Sequence, residues 1–163
     1  MIVNGETAFL LLRAKSYMAS VEMELERSQK DIYAASTAAF NLAMAAELTL
    51  KHVLLSNGIE PSRTHNHAQL MKECGMNHIL IPKNMRLIAI DLRTWESTAR
   101  YDSGVVIMKE EVEEGYQIVK EYMAKIYEIF IDSAYEIISK KLPQKELGER
   151  TREEMVKDHL SLL

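Results

Sequence analysis

The stretch Asp31–Gly58, DIYAASTAAFNLAMAAELTLKHVLLSNG, decides the fold. It reads as one long helix. Asp31 is a good N-cap, and Asn57-Gly58 supplies the left-handed residue that commonly ends a helix. Seven alanines lie between Ala34 and Ala46. Alanine is the strongest helix former, and its short side chain lets neighbouring helices come close. One side carries Ala35, Ala38, Leu42, Ala46, Thr49 and Val53 at spacings of three and four. The opposite side holds Phe40, Met44, Leu48 and Leu54, interrupted by Glu47 and Lys51. A helix that is apolar nearly all round is buried on more than one side. It is therefore expected at the centre of a bundle, its second face covered by other helices or by a partner subunit.

Working outward, a first helix is predicted from Thr7 to Arg27. Its expected core stripe is Phe9, Leu12, Ser16, Ala19 and Met23, with Leu11, Met18 and Leu25 beside it. The short link Ser28-Gln29-Lys30 implies antiparallel packing of the first two helices. After Gly58, Pro61 stops regular structure, and Ser62, Thr64 and Asn66 each offer an N-cap. A short helix follows from Ala68 to Cys74, with Leu70 and Met71 inward and Gly75 as its stop. Pro82 suits the first position of a fourth helix running to Arg100. There Met85, Ile88, Leu92, Trp95 and Ala99 face the core, and Arg86, Arg93 and Arg100 form one outward column.

A fifth, long helix is predicted from Lys109 to Lys140, with an apolar stripe from Val112 to Ile137 and four glutamates in its first turns. At ~1.5 Å per residue it spans roughly 48 Å, so its far end should project beyond the bundle. Leu142-Pro143 ends it. The reading is an all-α, up-and-down antiparallel bundle of four main helices with one short helix, occupying 1–142. Residues 143–163 form a charged C-terminal tail or weak amphipathic helix, with Met155 and Val156 among its sparse apolar positions.

Composition narrows the function. Hydrophobic residues make up 47% and charged residues 27%, with three prolines and six glycines, which is a folded and helix-rich profile. The formal net charge of −4 gives no global attraction to nucleic acid, so such binding needs a local basic patch. Cys74 stands alone, so no intrachain disulfide is expected, in keeping with a reducing cytoplasm. The apolar run Phe9–Leu12 is too short for a signal peptide or a span, and no membrane association is expected.

Several chemistries can be weighed on motifs. There is no P-loop, no dinucleotide glycine fingerprint and no Glu-x-x-His pair of the di-iron bundles. His65 and His67 are the compact histidine pair, but a metal needs a third or fourth ligand, and Cys74 and His78 are weak support. No metal and no cofactor are expected. A lone Cys74 reads as a core residue. Glu47 and Lys51 stand four apart in the favourable order, flanked by apolar residues, and form a partly desolvated structural pair. The Arg86, Arg93, Arg100 column is either a solvated face or a phosphate-reading surface, since guanidinium forks match phosphate oxygens. Tyr101 beside Arg100 could add base stacking.

Four segments resemble one family in order, the last being the start of the fifth helix, Lys109 to Gly115. Ala45-Ala46-Glu47-Leu48-Thr49-Leu50-Lys51 is similar to the alanine-rich second helix, with its A-E-x-x-x-K core, of HEPN domains (higher eukaryotes and prokaryotes nucleotide-binding). Pro61-x-x-Thr64-His65 with Leu70 resembles that family's P-x-x-T-H…L segment, and Ala99-Arg100-Tyr101 its A-R-Y motif. The likeness covers about residues 5–131.

The resemblance implies a helical bundle, usually a homodimer, in a prokaryotic cytoplasm. One group in the family comprises metal-independent ribonucleases, often toxins, with an arginine followed four to six residues later by a histidine. Another lacks that pair, and many of its members accompany a small nucleotidyltransferase in a toxin–antitoxin-like setting.

In this chain Arg93 is followed by Thr94, Trp95, Glu96, Ser97, Thr98, Ala99 and Arg100, without a histidine. Cleavage without a metal needs a group titrating near neutrality, which arginine is not. The expectation is therefore a non-catalytic, dimeric HEPN-type domain that binds a nucleotide or nucleic-acid phosphate, a nucleotidyltransferase partner, or both. Arg93, Arg100, Tyr101, His65 and Lys51 are the ligand-binding candidates, and no catalytic residue is assigned. The alternatives are a metal-independent endoribonuclease toxin and a pure protein-interaction module.

Overall fold

In the computed structural model the chain is an all-helical bundle. The structure describes residues 1–101, 105–143 and 150–163, the side chains of 99–101 excepted. The helices are α1 (Gly5–Arg27), α2 (Ala34–Ser56), α3 (His67–Met76), α4 (Lys83–Leu87), α5 (Ala89–Tyr101), α6 (Lys109–Ser139) and α7 (Arg152–Asp158). A 3-10 turn, Leu160–Leu162, follows α7.

Helix α1 begins two residues earlier than the sequence suggests, because Asn4 and Thr7 build a capping box. Asn4 Oδ1 accepts from the Thr7 N–H at 2.9 Å, and Thr7 Oγ1 from the Asn4 N–H at 3.0 Å. The buried face differs from the expected stripe. Thr7, Leu11, Ala14, Met18, Val21 and Leu25 are buried, whereas Phe9 and Met23 are exposed. Ala8 and Ala14 sit inside, and their small side chains suit close approach to the alanine-rich α2 better than Phe9 and Met23 would.

Helix α2 starts at Ala34 rather than at Asp31. The Asp31 carboxylate instead accepts from the Tyr33 N–H at 2.9 Å, forming a turn just before the helix. Its other end is as read: Gly58 takes the left-handed conformation, φ 77°. Of the 23 residues of α2, 16 are buried, and α1, α3, α5 and α6 all pack on it. On its second face the chain's own helices bury Leu48 and Leu54, while Phe40 and Met44 stay half-buried. Among the described residues α2 is the one helix long and apolar enough to cross a membrane, and 72% of its most apolar window is buried inside the fold.

Helices α1 and α2 run antiparallel. The start of α1 meets the end of α2 where His52 Nδ1–H donates to the Thr7 carbonyl at 2.8 Å. The other ring nitrogen then accepts from the Ser56 hydroxyl at 3.3 Å. Phe130 of α6 meets the same ring edge-on, with centroids 5.7 Å apart. Burial holds the His52 pKa below its ordinary value.

Helix α3 is capped by Asn66, whose side chain accepts from the Gln69 N–H at 3.2 Å. Gly75 lies within it and is not its stop. The reversal comes three residues on, at His78, which has φ 59°. The expected fourth helix is two. Pro82 stands at the cap of α4, and Ile88, at φ −87° and ψ 4°, separates α4 from α5. Neither glycine nor proline marks that break. Met85 and Leu92 on either side of it are both fully buried.

Helix α6 does not end in solvent. Its last turns bury Phe130, Ile131, Ala134 and Ile138, and α7 packs on it through Met155 and Val156, 0% and 1% exposed. Thr151 and Glu154 form the capping box that starts α7.

Candidate nucleotide-binding corner

The C-terminal half of α2, the loop 57–66, the start of α3 and one side of α5 meet at a polar corner inside an otherwise apolar surround. Glu47 is its centre. One carboxylate oxygen accepts from Lys51 Nζ at 2.7 Å, one helical turn on. The other lies 2.9 Å from His65 Nδ1, carried in by the loop. The three side chains grade outward. Glu47 is 3% exposed, Lys51 18% and His65 57%. A buried carboxylate thus holds two nitrogen groups in place and leaves the His65 ring facing solvent.

The loop that carries His65 is itself fixed. Glu73 of α3 accepts from the Ser62 N–H at 3.2 Å and from the Ser62 hydroxyl, and Gln69 Nε2 donates to it at 3.2 Å. Thr64 Oγ1 accepts from the Asn66 N–H at 3.0 Å. His67, fully buried, donates from Nε2 to the Ala43 carbonyl at 2.9 Å, which pins α3 to α2. Its Nδ1 has no partner among the described residues. Burial dominates and lowers the His67 pKa, while the Ala43 bond and the charges of Glu47 and Glu96 pull it back up. Glu96, on the buried side of α5, therefore belongs to the same electrostatic neighbourhood.

The candidate residues sort as follows. Lys51 and His65 are brought together on Glu47. Arg93 is exposed on α5, three residues before Glu96, and helical spacing sets both on adjoining faces of that helix. Arg100 lies one turn past Glu96, and its side chain, like that of Tyr101, falls outside the described residues. The expected arginine column is not continuous. The break at Ile88 separates Arg86 from Arg93, and Arg86 lines another groove, with Lys72, Met76 and Ala89. Cys74 is fully buried, and burial pushes its thiol up to about 11, far from a reactive thiolate. Among the described residues no group of three histidine, cysteine or carboxylate side chains is placed to hold a metal.

Two contributors were not legible as a site. His67 looked like a metal-pair partner of His65, yet it points into the core while His65 points out. No motif singles out Glu96. Only the packing of α3 and α5 on α2 brings it near His67.

Chemically, the corner offers cationic and hydrogen-bonding groups held by a carboxylate, with a histidine nitrogen available at the surface. That suits recognition of an anion's oxygens.

No curated protein and no solved structure matches the chain. The family model described as HEPN domain matches residues 7–130. The match takes in α1 to α6 as far as Phe130, including the whole of this corner. It agrees with the ordered motifs around Glu47, His65 and Arg100, and this chain belongs to the HEPN domain family, a nucleotide- and RNA-related class.

Proposed function

We propose that this chain is a non-catalytic HEPN-type domain that binds a phosphate of a nucleotide or of RNA at the corner around Glu47. It acts as a homodimer in a prokaryotic cytoplasm and serves a small nucleotidyltransferase partner in a toxin–antitoxin-like pair. One observation carries the binding reading: Glu47 holds Lys51 and His65 at once, at 2.7 Å and 2.9 Å, so both are positioned before a ligand arrives. Arg93 and Arg100, flanking Glu96 along α5, supply the forks that match phosphate oxygens. The test is fluorescence anisotropy with labelled ATP and a labelled single-stranded RNA. Affinity should fall as salt rises, and Arg93→Ala with Arg100→Ala should weaken it at least tenfold. Unchanged affinity in that double variant would remove these residues from the site.

One observation favours a second reading, the metal-independent endoribonuclease. A carboxylate orients His65 through Nδ1 and leaves its other nitrogen open, as general acid–base catalysis requires. RNA left intact at high protein concentration rejects it. Cleavage abolished by His65→Ala establishes it.

A further inference from the structure

We infer that the groove between α1 and α6 is a docking site for a basic amphipathic helix of a partner protein. The groove lies away from the Glu47 corner and uses none of its residues. Its floor is apolar, made by Met18 and Ala19 of α1 with Met123 and Ala124 of α6, around a cavity of ≈ 310 Å³. The two alanines leave the width. A lysine and a tyrosine stand at each end. Lys15 sits 3.8 Å over the Tyr127 ring, and Lys120 sits 5.0 Å from the Tyr116 ring.

One end shows what the face accepts. The chain's own α7 docks there with a short amphipathic face, burying Met155 and Val156. Glu153 of α7 accepts from Tyr127 Oη at 3.0 Å and from Lys15 Nζ at 3.2 Å. Beyond Tyr127 the groove stays open as far as Tyr116. Those tyrosines are eleven residues apart on α6, ~16 Å, which is room for about three turns of helix.

The open end sets the sign of the occupant's charge. The groove widens there into a mouth lined by Glu22, Glu26, Glu113 and Glu114. Lys120 and the Tyr116 hydroxyl both donate to Glu22, which fixes that rim, and Lys109 pairs with Glu113 at 3.1 Å, so the acidic excess of the mouth is carried by Glu26 and Glu114. An apolar floor running into an acidic mouth complements a helix with leucine-like residues on one face and lysine or arginine at one end.

The probe is a fluorescein-labelled synthetic helix of about twelve residues, with leucines at three- and four-residue spacing and lysines at one end, titrated onto the full chain. Its control carries glutamates in place of the lysines. The lysine peptide should bind at least tenfold more tightly than the control. Ala124→Trp, at an exposed position, should abolish binding with the melting temperature unchanged. Glu113→Lys with Glu114→Lys should reverse the preference between the two peptides. Arg93→Ala with Arg100→Ala should leave peptide binding as it was, so failure here is separate from failure of phosphate binding. Equal affinity for both peptides, or full binding by Ala124→Trp, overturns the inference. So does a homodimer that Ala124→Trp dissociates, because the occupant would then be a second copy.

Discussion

Nδ1 of His65 stands 2.9 Å from Oε2 of Glu47, eighteen residues earlier in the chain, and the same carboxylate holds Lys51 from its other oxygen. The contact joins a surface loop to the most buried helix of the fold. Removing Glu47 would strand Lys51 in a largely apolar pocket and release the loop. Glu47→Ala should cost about 2–4 kcal/mol of stability, read by urea unfolding, since one partner of a buried pair is lost. His65→Ala, at an exposed position, should cost less than about 1 kcal/mol yet weaken nucleotide binding. Equal stability losses for the two would show that Glu47 is not the anchor.

Gly115 of α6 leaves room for the Trp95 ring of α5. A β-carbon there would lie 2.8 Å from Cη2 and 2.9 Å from Cζ3 of Trp95, with Leu42 of α2 at 3.4 Å behind. The Trp95 ring is buried, so making room for that β-carbon requires it to shift against packed neighbours. Gly115→Ala should therefore destabilise by about 1–3 kcal/mol despite its better helix propensity. Adding Trp95→Leu should recover part of that loss, and a double-mutant cycle measures the coupling. Additive costs would mean that the two sites do not meet.

The buried His52 sets an acid limit. Its folded pKa is depressed by burial, so its contribution is complete above the unfolded value of about 6.5. That contribution is lost as pH falls through the folded value, because the unfolded chain takes up the proton first. His67 is depressed for the same reason and adds to the effect. The melting temperature should drop between pH 7 and pH 5, and His52→Gln should flatten that slope. A slope equally steep in the variant would assign the loss to other groups.

Docking of α7 depends on Glu153. Bonds from Lys157, Tyr127 and Lys15 hold its carboxyl at about 2, so the contribution is present above pH 4.5 and lost as pH falls towards 2. With 41% of the side chain exposed, solvent screening keeps this below about 1 kcal/mol. Glu153→Gln should speed amide exchange across 152–158 while leaving α1 and α2 protected. Unaltered exchange there would show that Met155 and Val156 alone hold α7.

Much of the architecture is local and therefore legible in order. The alanine-rich run, the Asn57-Gly58 stop and the stripe of α6 follow from propensity and from a 3.6-residue period. Local pattern also misled where two stripes competed. On α1 the stripe through Phe9 and Met23 stays exposed, and the face carrying Ala8, Leu11, Ala14 and Met18 is the one buried. No local signal marks the break at Ile88, since whether Met85 and Leu92 can both enter the core depends on helices distant in sequence.

By itself the sequence determined the helical class, the central place of α2, the Glu47–Lys51 pair and, through its ordered motifs, the family. Only the tertiary structure decided the corner and the groove. Glu47, His65, His67 and Glu96 are separated by up to 49 positions, and helix propensity carries no information about which faces meet. Packing decides that: small residues let α1 approach α2, Gly115 admits Trp95, and α7 covers the end of α6. The polar groups that remain inside these contacts, drawn from separate helices, make the candidate site.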